Sequence, residues 1–334
     1  AALGMTWNGA EGATQQAMQQ VLGFDGMTEQ QVNEAYKALF AYLLSADPSV
    51  ILEIANSIWH EQAFTVLSSF IQVNQDYFNA DVFPADFSNP ATLQAINQWV
   101  NDRTHGRITS ILEIIPPDVV MYLINAVYFK GDWKYRFDMS KTHLAGFFSP
   151  GGMNNVATME MRSKIMVAGN GTCDAVRLPY GNDRFSMVAM LPAEGSTMDD
   201  VLGALTPDAW KDLMGSFAIR EDFLLYLPKF RFAWDRKLNE LLTGLGMGIA
   251  FTPGMADFSG INPNVDLFIS EVKHKTYIDV NENGTEAAAV TSVAVGYGAV
   301  DMLAFNRPFL FFIVEEHTGF ILFAGKVNLP EYDG

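Results

Sequence analysis

Apolar and polar positions alternate in two rhythms along this chain, and the balance shifts from one end to the other. Residues 10–22 (AEGATQQAMQQVL) follow a helical period that stops at Gly23. Thr28 opens a second helix: Gln31 completes a capping-box pattern, and Val32, Ala35, Leu39 and Tyr42 form an apolar face. Phe64 to Phe78 and Pro90 to Arg103 also read as helices, the latter stopped by Gly106. Ile51 to Trp59 alternates as a strand does. Val119 to Phe129 is almost continuously apolar, the pattern of a central strand buried on both faces. Residues 144–193 hold several strands, with turn signals at Gly151-Gly152, Gly169-Asn170-Gly171 and Gly181-Asn182. Beyond them we expect helices over Thr206 to Phe217 and Trp234 to Met247, and strands over Phe223 to Phe232, Val265 to Val280 and Phe309 to Val314. Helices concentrate early and strands late, so the predicted class is α+β with large mixed or antiparallel sheets. No repeat, low-complexity linker or domain boundary interrupts the pattern, and we expect one domain over residues 1–334.

The stretch Glu282 to Phe305 breaks this order. After the turn dipeptide Asn283-Gly284 come about twenty residues with almost no charge and no proline; loops of that length inside a compact domain are uncommon. In an extended chain Thr285, Ala287, Ala289, Thr291, Val293 and Val295 share one face, and Glu286, Ala288, Val290, Ser292, Ala294 and Gly296 the other. Glu286 marks the second face as the solvated one, because an unpaired buried carboxylate is costly. Gly296-Tyr297-Gly298 then supplies a flexible, cleavable tip. A segment that suits both a loop and a strand has the makings of a switch. Read alone, the Glu-Ala-Ala-Ala run also suits a helix start or a linker.

Composition and charge narrow the partners. Hydrophobic residues make up 49% of the 334, enough for a large core. Lys and Arg number 21 against 38 Asp and Glu, and the resulting −17 disfavours nucleic acid and anionic membrane. No apolar run reaches the roughly 18 residues of a membrane span. The single cysteine, Cys173, excludes an internal disulfide framework and fits either a reducing compartment or a bacterial secreted protein. The chain begins in helical rhythm at Ala1-Ala2-Leu3-Gly4-Met5, with no signal peptide and no N-cap, as though earlier residues had preceded it.

Catalytic and metal templates fit poorly. Asp279-Val-Asn281-Glu-Asn283-Gly284 matches the first half of a calcium loop, but Val290 stands where the bidentate Glu belongs. Gly244-Leu-Gly246-Met-Gly248 ends a helix instead of joining strand to helix, which argues against a dinucleotide site. His60-Glu61 lacks the second histidine of a zinc protease. Cys173 and His274 could form a thiol dyad, but nothing local supports it, and a free cysteine usually serves as a small buried hydrophobe.

Other motifs point to a family. Leu303-Ala-Phe305-Asn306-Arg307-Pro308-Phe309-Leu310-Phe311-Phe312-Ile313 resembles the serpin signature at every position. Asn283-Gly284-Thr285-Glu286-Ala287-Ala288-Ala289 is similar to the proximal hinge of an inhibitory serpin's reactive centre loop. Asn125 to Trp133, Leu227-Pro228-Lys229-Phe230, Ala256 to Ile261, Glu271 to Lys275 and Gly319 to Asn328 carry further likenesses, in order along nearly the whole chain. Serpins normally carry residues before this point, including a first helix, a strand and the serine-containing start of the second helix. We therefore expect the N-terminal portion of the family fold to be absent from this sequence.

The resemblance implies three β-sheets with a large central sheet A, about eight helices and a mobile reactive centre loop, here residues 282–304, all by fold-level analogy. It implies a suicide-substrate inhibitor of serine, sometimes cysteine, proteases, held to its target as a covalent acyl-enzyme. It implies no catalytic residue, cofactor or metal in the inhibitor itself, which would act as a monomer. The hinge falls on Gly284, Thr285, Glu286, Ala287, Ala288 and Ala289. Family spacing places the scissile bond after Gly298, with Tyr297, Gly298 and Ala299 as candidates. Asn125 and His274 match the family's "shutter", and Trp133, Lys229 and Glu282 its "breach", with Lys229 and Glu282 expected to pair. The absence of Lys and Arg from 287 to 304 favours elastase-, subtilisin- or chymotrypsin-like targets over basic-specific ones. The helix after Thr28 offers only Lys37, so no heparin-like activator is expected. An extracellular or periplasmic setting follows, with an intracellular one also compatible. The alternative is a non-inhibitory serpin acting as carrier, chaperone or storage protein.

Insertion of the loop needs more than backbone pairing. Each new ladder hydrogen bond contributes roughly 0.5–1.5 kcal/mol net, while fixing each residue costs about 1–2 kcal/mol. The surplus has to come from burying the Thr/Ala/Val face and relaxing strain in the uninserted sheet. Thr285→Arg, which puts a charge on that face, should slow insertion and turn an inhibitor into a substrate; a gel assay counting trapped against cleaved molecules reads the change, and undiminished stoichiometric trapping would count against it.

Overall fold

The computed structural model describes residues 1–285 and 301–332. Among them the chain forms eight α-helices and three sheets, the α+β arrangement expected. The helices are α1 (Ala2–Trp7), α2 (Gly12–Leu22), α3 (Glu29–Ser45), α4 (Ser68–Phe78), α5 (Pro90–Arg103), α6 (Met198–Ala204), α7 (Pro207–Ser216) and α8 (Asn239–Leu242). Their ends follow local chemistry. At the start of α3, Thr28 Oγ1 accepts from the Gln31 amide at 3.2 Å, while Gln31 Oε1 accepts from the Thr28 amide at 2.8 Å. Asn89 caps α5 by accepting from the Ala91 amide, and Pro90 occupies the first turn. None of the described helices is long and apolar enough to cross a membrane.

The strands are β1 (Val50–Glu61), β2 (Ala80–Ala85), β3 (Met121–Asp132), β4 (His143–Ser149), β5 (Gly152–Gly169), β6 (Cys173–Tyr180), β7 (Phe185–Pro192), β8 (Ala218–Pro228), β9 (Phe230–Lys237), β10 (Lys273–Val280), β11 (Gly284–Thr285), β12 (Asp301–Ala304), β13 (Phe309–Glu315) and β14 (Ile321–Val327). One sheet runs β11-β3-β1-β2, a second pairs β9 with β10, and the third runs β12-β8-β5-β6-β7-β13-β14 with β4 added on β5. β1 with β2 and β12 with β8 are parallel, while the pairs within the β5-to-β14 part of the third sheet are antiparallel. The sheets are thus mixed.

The chain divides into two compact units. The first comprises Ala1–Ser45, Leu52–Tyr128 and Ala233–Tyr277. Its core has two layers because its strands are buried on both faces. Ile58 packs with Met5, Met18, Phe70 and Phe78, whereas its neighbour Trp59 packs with Ile96, Val100 and Ile124. The same alternation carries Leu123 to the first cluster and Ile124 to the second, which explains the unbroken apolar run in β3.

The second unit comprises Ala46–Ile51, Phe129–Phe232 and Ile278–Gly334. Here β7 and β13 are buried at every residue. Leu310 and Phe312 join Val188, Met190, Val201 and Leu213 in one cluster, while Phe309 and Phe311 meet Phe230 at ring centroid distances of 5.8 and 5.3 Å.

Three expectations need correction. The helix foreseen over 234–247 is strand through Lys237 and α-helical only over Asn239–Leu242. Gly246 at φ 116 breaks the helical path beyond Leu242, as three glycines in five residues would. The strand foreseen from Val265 starts only at Lys273: Leu267 and Ile269 pack, half-buried, against the core without a ladder, Ile269 bonding its amide to the Ala250 carbonyl. The helix foreseen from Phe64 starts at Ser68, because Phe64 and Val66 pack in the core and the Leu67 amide bonds the Ile261 carbonyl.

Phe230 is fully buried among aromatic rings. Phe230→Ala should cost about 3–5 kcal/mol, seen as a lower urea midpoint.

Candidate functional site

Everything at the base of the exceptional loop is arranged around a tight turn. Asn281 and Gly284 exchange both backbone hydrogen bonds, at 3.0 and 3.3 Å, so the chain reverses directly after β10. Gly284 sits at φ 144, and a Cβ there would lie 2.2 Å from the Gly131 carbonyl oxygen and 2.6 Å from Asp132 Cα. Only glycine permits that approach. It brings Gly284 opposite Asp132 and Thr285 opposite Gly131, antiparallel to β3. Towards Met121 no further strand among the described residues adds to that edge of β3. Glu286, Ala287, Ala288, Ala289, Tyr297, Gly298 and Ala299 lie outside the described residues.

Trp133, Lys229 and Glu282 meet at this turn. The Trp133 indole is 3% exposed and stacks on Tyr180 at 4.4 Å, with 13° between the ring planes. Its Nε1 donates to the Asn281 carbonyl at 2.9 Å and its backbone amide to the Asn283 carbonyl at 2.8 Å. Glu282 is buried, its backbone carbonyl accepting from the Phe137 amide at 2.9 Å. Thr142 Oγ1 donates to its Oε1 at 2.7 Å, and Lys229 Nζ lies 3.0 Å from its Oε2. Burial pushes the Glu282 carboxyl up, but the bonds from Thr142, the backbone and Lys229 outweigh it and hold the group below the usual range.

Asn125 and His274 are placed differently. Asn125 Nδ2 donates to Asn56 Oδ1 at 2.9 Å, and Asn56 Nδ2 in turn donates to the Phe78 carbonyl at 2.7 Å. His274 is exposed, with its ring edge-on to Trp234 at 5.7 Å. No hydrogen bond joins Asn125 and His274 among the described residues, yet both line one cavity of about 460 Å3 with Met121, Leu123, Ile269 and Val272.

The thiol reading of Cys173 does not survive its surroundings. Burial pushes its pKa up to about 11, and the Sγ lies 3.4 Å from Asn170 Oδ1, the reverse of an activated thiolate. The half calcium loop likewise faces cations: Arg231 Nε stands 2.8 Å from the Asp279 carboxylate.

Sequence reasoning missed Asn56, Thr142 and Tyr180. No local signal marks them; Thr142 reaches Glu282 across 140 positions of chain.

A family profile described as "Serpin (serine protease inhibitor)" matches residues 1–330. The intracellular coagulation inhibitor 2 of Tachypleus tridentatus is 33% identical, the match covering 98% of this chain and 83% of that one. Among solved structures, the thermophilic serpin tengpin in its native state is 36% identical with a TM-score of 0.88, covering 98% of this chain and 86% of that one. Thyroxine-binding globulin in complex with thyroxine is 27% identical with a TM-score of 0.89, covering 99% of this chain and 90% of that one.

The Glu282 environment generates a pH prediction. Its folded pKa is depressed, so its stabilisation is fully present above the ordinary carboxylate range and is lost as pH falls through the lower folded value. The wild type should lose thermal stability on acidification more steeply than Glu282→Gln. At neutral pH, Lys229→Ala strands a buried carboxylate and should cost about 3 kcal/mol; equal melting temperatures for Lys229→Ala and wild type would contradict this account.

Proposed function

The chain belongs to the serpin family, and from that premise we propose that it is a suicide-substrate inhibitor of serine endopeptidases with small, apolar or aromatic specificity. The observation that carries the reading is the pairing of Gly284 and Thr285 with β3. These two residues are the first rungs of an additional strand. Were that register continued without a shift on insertion, Thr291 would come opposite Asn125 and Val295 opposite Met121, the first residue of β3. The twelve residues of β3 would then be matched from Gly284 to Val295, and the candidate scissile bond among Tyr297, Gly298 and Ala299 falls just beyond.

Side-chain parity agrees with that register. Residues directly opposite in an antiparallel pair share a face. Thr285, Ala287, Ala289, Thr291, Val293 and Val295 would therefore lie on the side of Leu123 and Met121, which pack into the first core cluster. Glu286 would fall on the other side. Burying apolar area on that face at about 25 cal/mol per Å2 supplies the surplus that backbone pairing lacks.

The chemistry belongs to the protease. Its serine Oγ attacks the scissile carbonyl carbon, the C–N bond breaks, and the downstream segment leaves with a protonated amine while the upstream segment stays as an ester. Water would release the enzyme by hydrolysing that ester. Extension of β11 along β3 competes with that hydrolysis, and pulling on the ester displaces it from the groups that would activate water. The inhibitor needs only a cleavable loop, a small-residue hinge and a strand edge that accepts it.

A carrier function is the second reading, favoured by the likeness to a thyroxine-binding protein. The small residues from Thr285 to Ala289 favour inhibition instead. We place the protein, as a monomer, outside the cell or in the periplasm, where such endopeptidases act; the coagulation inhibitor named above is by its name intracellular, and recovery of this protein from cytosol would move it there.

Incubation with elastase, chymotrypsin, subtilisin and trypsin tests the proposal. SDS-resistant adducts with the first three, a cut between 296 and 300 by mass spectrometry and a raised melting temperature after cleavage are expected. Cleavage that yields no adduct and leaves the melting temperature unchanged would overturn it.

A further inference from the structure

We infer that Tyr332 is a positioning residue for loop insertion: its ring clasps Lys229 and Arg231 and through them holds the loop's root, Asp279 to Glu282, in place until the loop is cut. The functional half of this inference rests on the inhibitory reading above; the clasp itself does not.

Lys229 Nζ lies 4.2 Å and Arg231 Cζ 4.5 Å from the Tyr332 ring centroid, both well inside the roughly 6 Å range of a cation–π contact. One aromatic ring thus serves two cations. Each cation holds one carboxylate of the root: Lys229 Nζ is 3.0 Å from Glu282, and Arg231 Nε is 2.8 Å from Asp279. Those side chains are only 4% and 3% exposed, so neither has water to replace a lost partner.

The phenol hydroxyl binds the same segment. It accepts from Arg231 Nη2 at 3.2 Å and is hydrogen-bonded to Asp279 and Asn281. The backbone anchors the ring, since the Arg231 amide donates to the Glu331 carbonyl at 2.7 Å. Asp279, Asn281 and Glu282 are therefore each tied, directly or through one cation, to a single side chain near the far end of the sequence.

That segment is where movement has to start. The turn from Asn281 to Gly284 joins β10 to β11, and β11 is the strand that would lengthen. Lys229 immediately precedes β9 and Arg231 lies within it, and β9 pairs with β10, so the clasp fixes the end of β10 to the start of its neighbour. Without the ring, water reaches the Lys229–Glu282 pair and hydrates further the Arg231–Asp279 pair, whose arginine is already 38% exposed; the local dielectric rises and the attraction that stiffens the root falls. An uncut loop would then insert spontaneously, and inhibitory capacity would drain away.

The test uses the full chain, uncleaved. Hydrogen exchange at the Asn281 and Gly284 amides should be at least tenfold faster in Tyr332→Ala than in wild type. The half-life of trapping capacity on warming should shorten several-fold. Tyr332→Phe, which keeps the ring but loses the hydroxyl's bonds, should fall between wild type and Tyr332→Ala on both measures, and Tyr332→Leu should behave like Tyr332→Ala. Exchange unchanged in Tyr332→Ala, or Tyr332→Leu matching Tyr332→Phe, would overturn the clasp. Faster exchange with an unchanged half-life would overturn its role in insertion. If wild type traps no protease, the inhibitory reading fails while the exchange measurements still decide the clasp.

Discussion

Gly284 lies so close to the backbone from Gly131 to Trp133 that no side chain fits between them, and this contact is what joins the loop to the sheet. A Cβ at 284 would push the turn away from β3 and remove both rungs of β11. Trp133 fixes the other side of the approach, bonding two carbonyls of the turn while its ring is held by Tyr180. The geometry is tight because it is backbone against backbone. It sets the register of Gly284 and Thr285 on β3, and in β structure a register decides which face each side chain of a strand occupies.

Electrostatics reinforce the same point in an otherwise acidic molecule. With a net charge of −17, most carboxylates lie at the surface, where a pair contributes little. Around the turn the situation reverses. Asp279 and Glu282 are buried, and each has a basic partner supplied from the Lys229–Arg231 stretch. Thr142 adds a hydroxyl donor to Glu282. Buried carboxylates with complete partners make a rigid junction, because any displacement leaves a charge uncompensated in a poorly solvated place. The turn can then act as a fixed pivot for whatever the loop does.

Much of this was legible in the residue pattern. The capping box at Thr28 and the start of α5 at Pro90 are local devices, encoded within a few positions. The apolar run through β3 announced burial on both faces. Errors had two sources, tertiary packing that overrode local preference and a local run of glycines. Leu267 and Ile269 look like strand residues but pack, half-buried, against a core without joining a ladder, and glycines at 244, 246 and 248 cut short a helix that the apolar spacing suggested.

The sequence by itself determined the class of fold, the family, the turn at Asn283-Gly284 and the chemical character of the loop, because each rests on residues adjacent or periodic in the chain. Only the tertiary structure decided that Gly284 touches Gly131, that Glu282 also finds Thr142, that Asn125 bonds Asn56 and not His274, and that Tyr332 caps two cations. Those contacts join residues tens to more than a hundred positions apart, and no periodicity carries information across such distances. They exist because burial forces each polar group to find a partner wherever the fold has placed one.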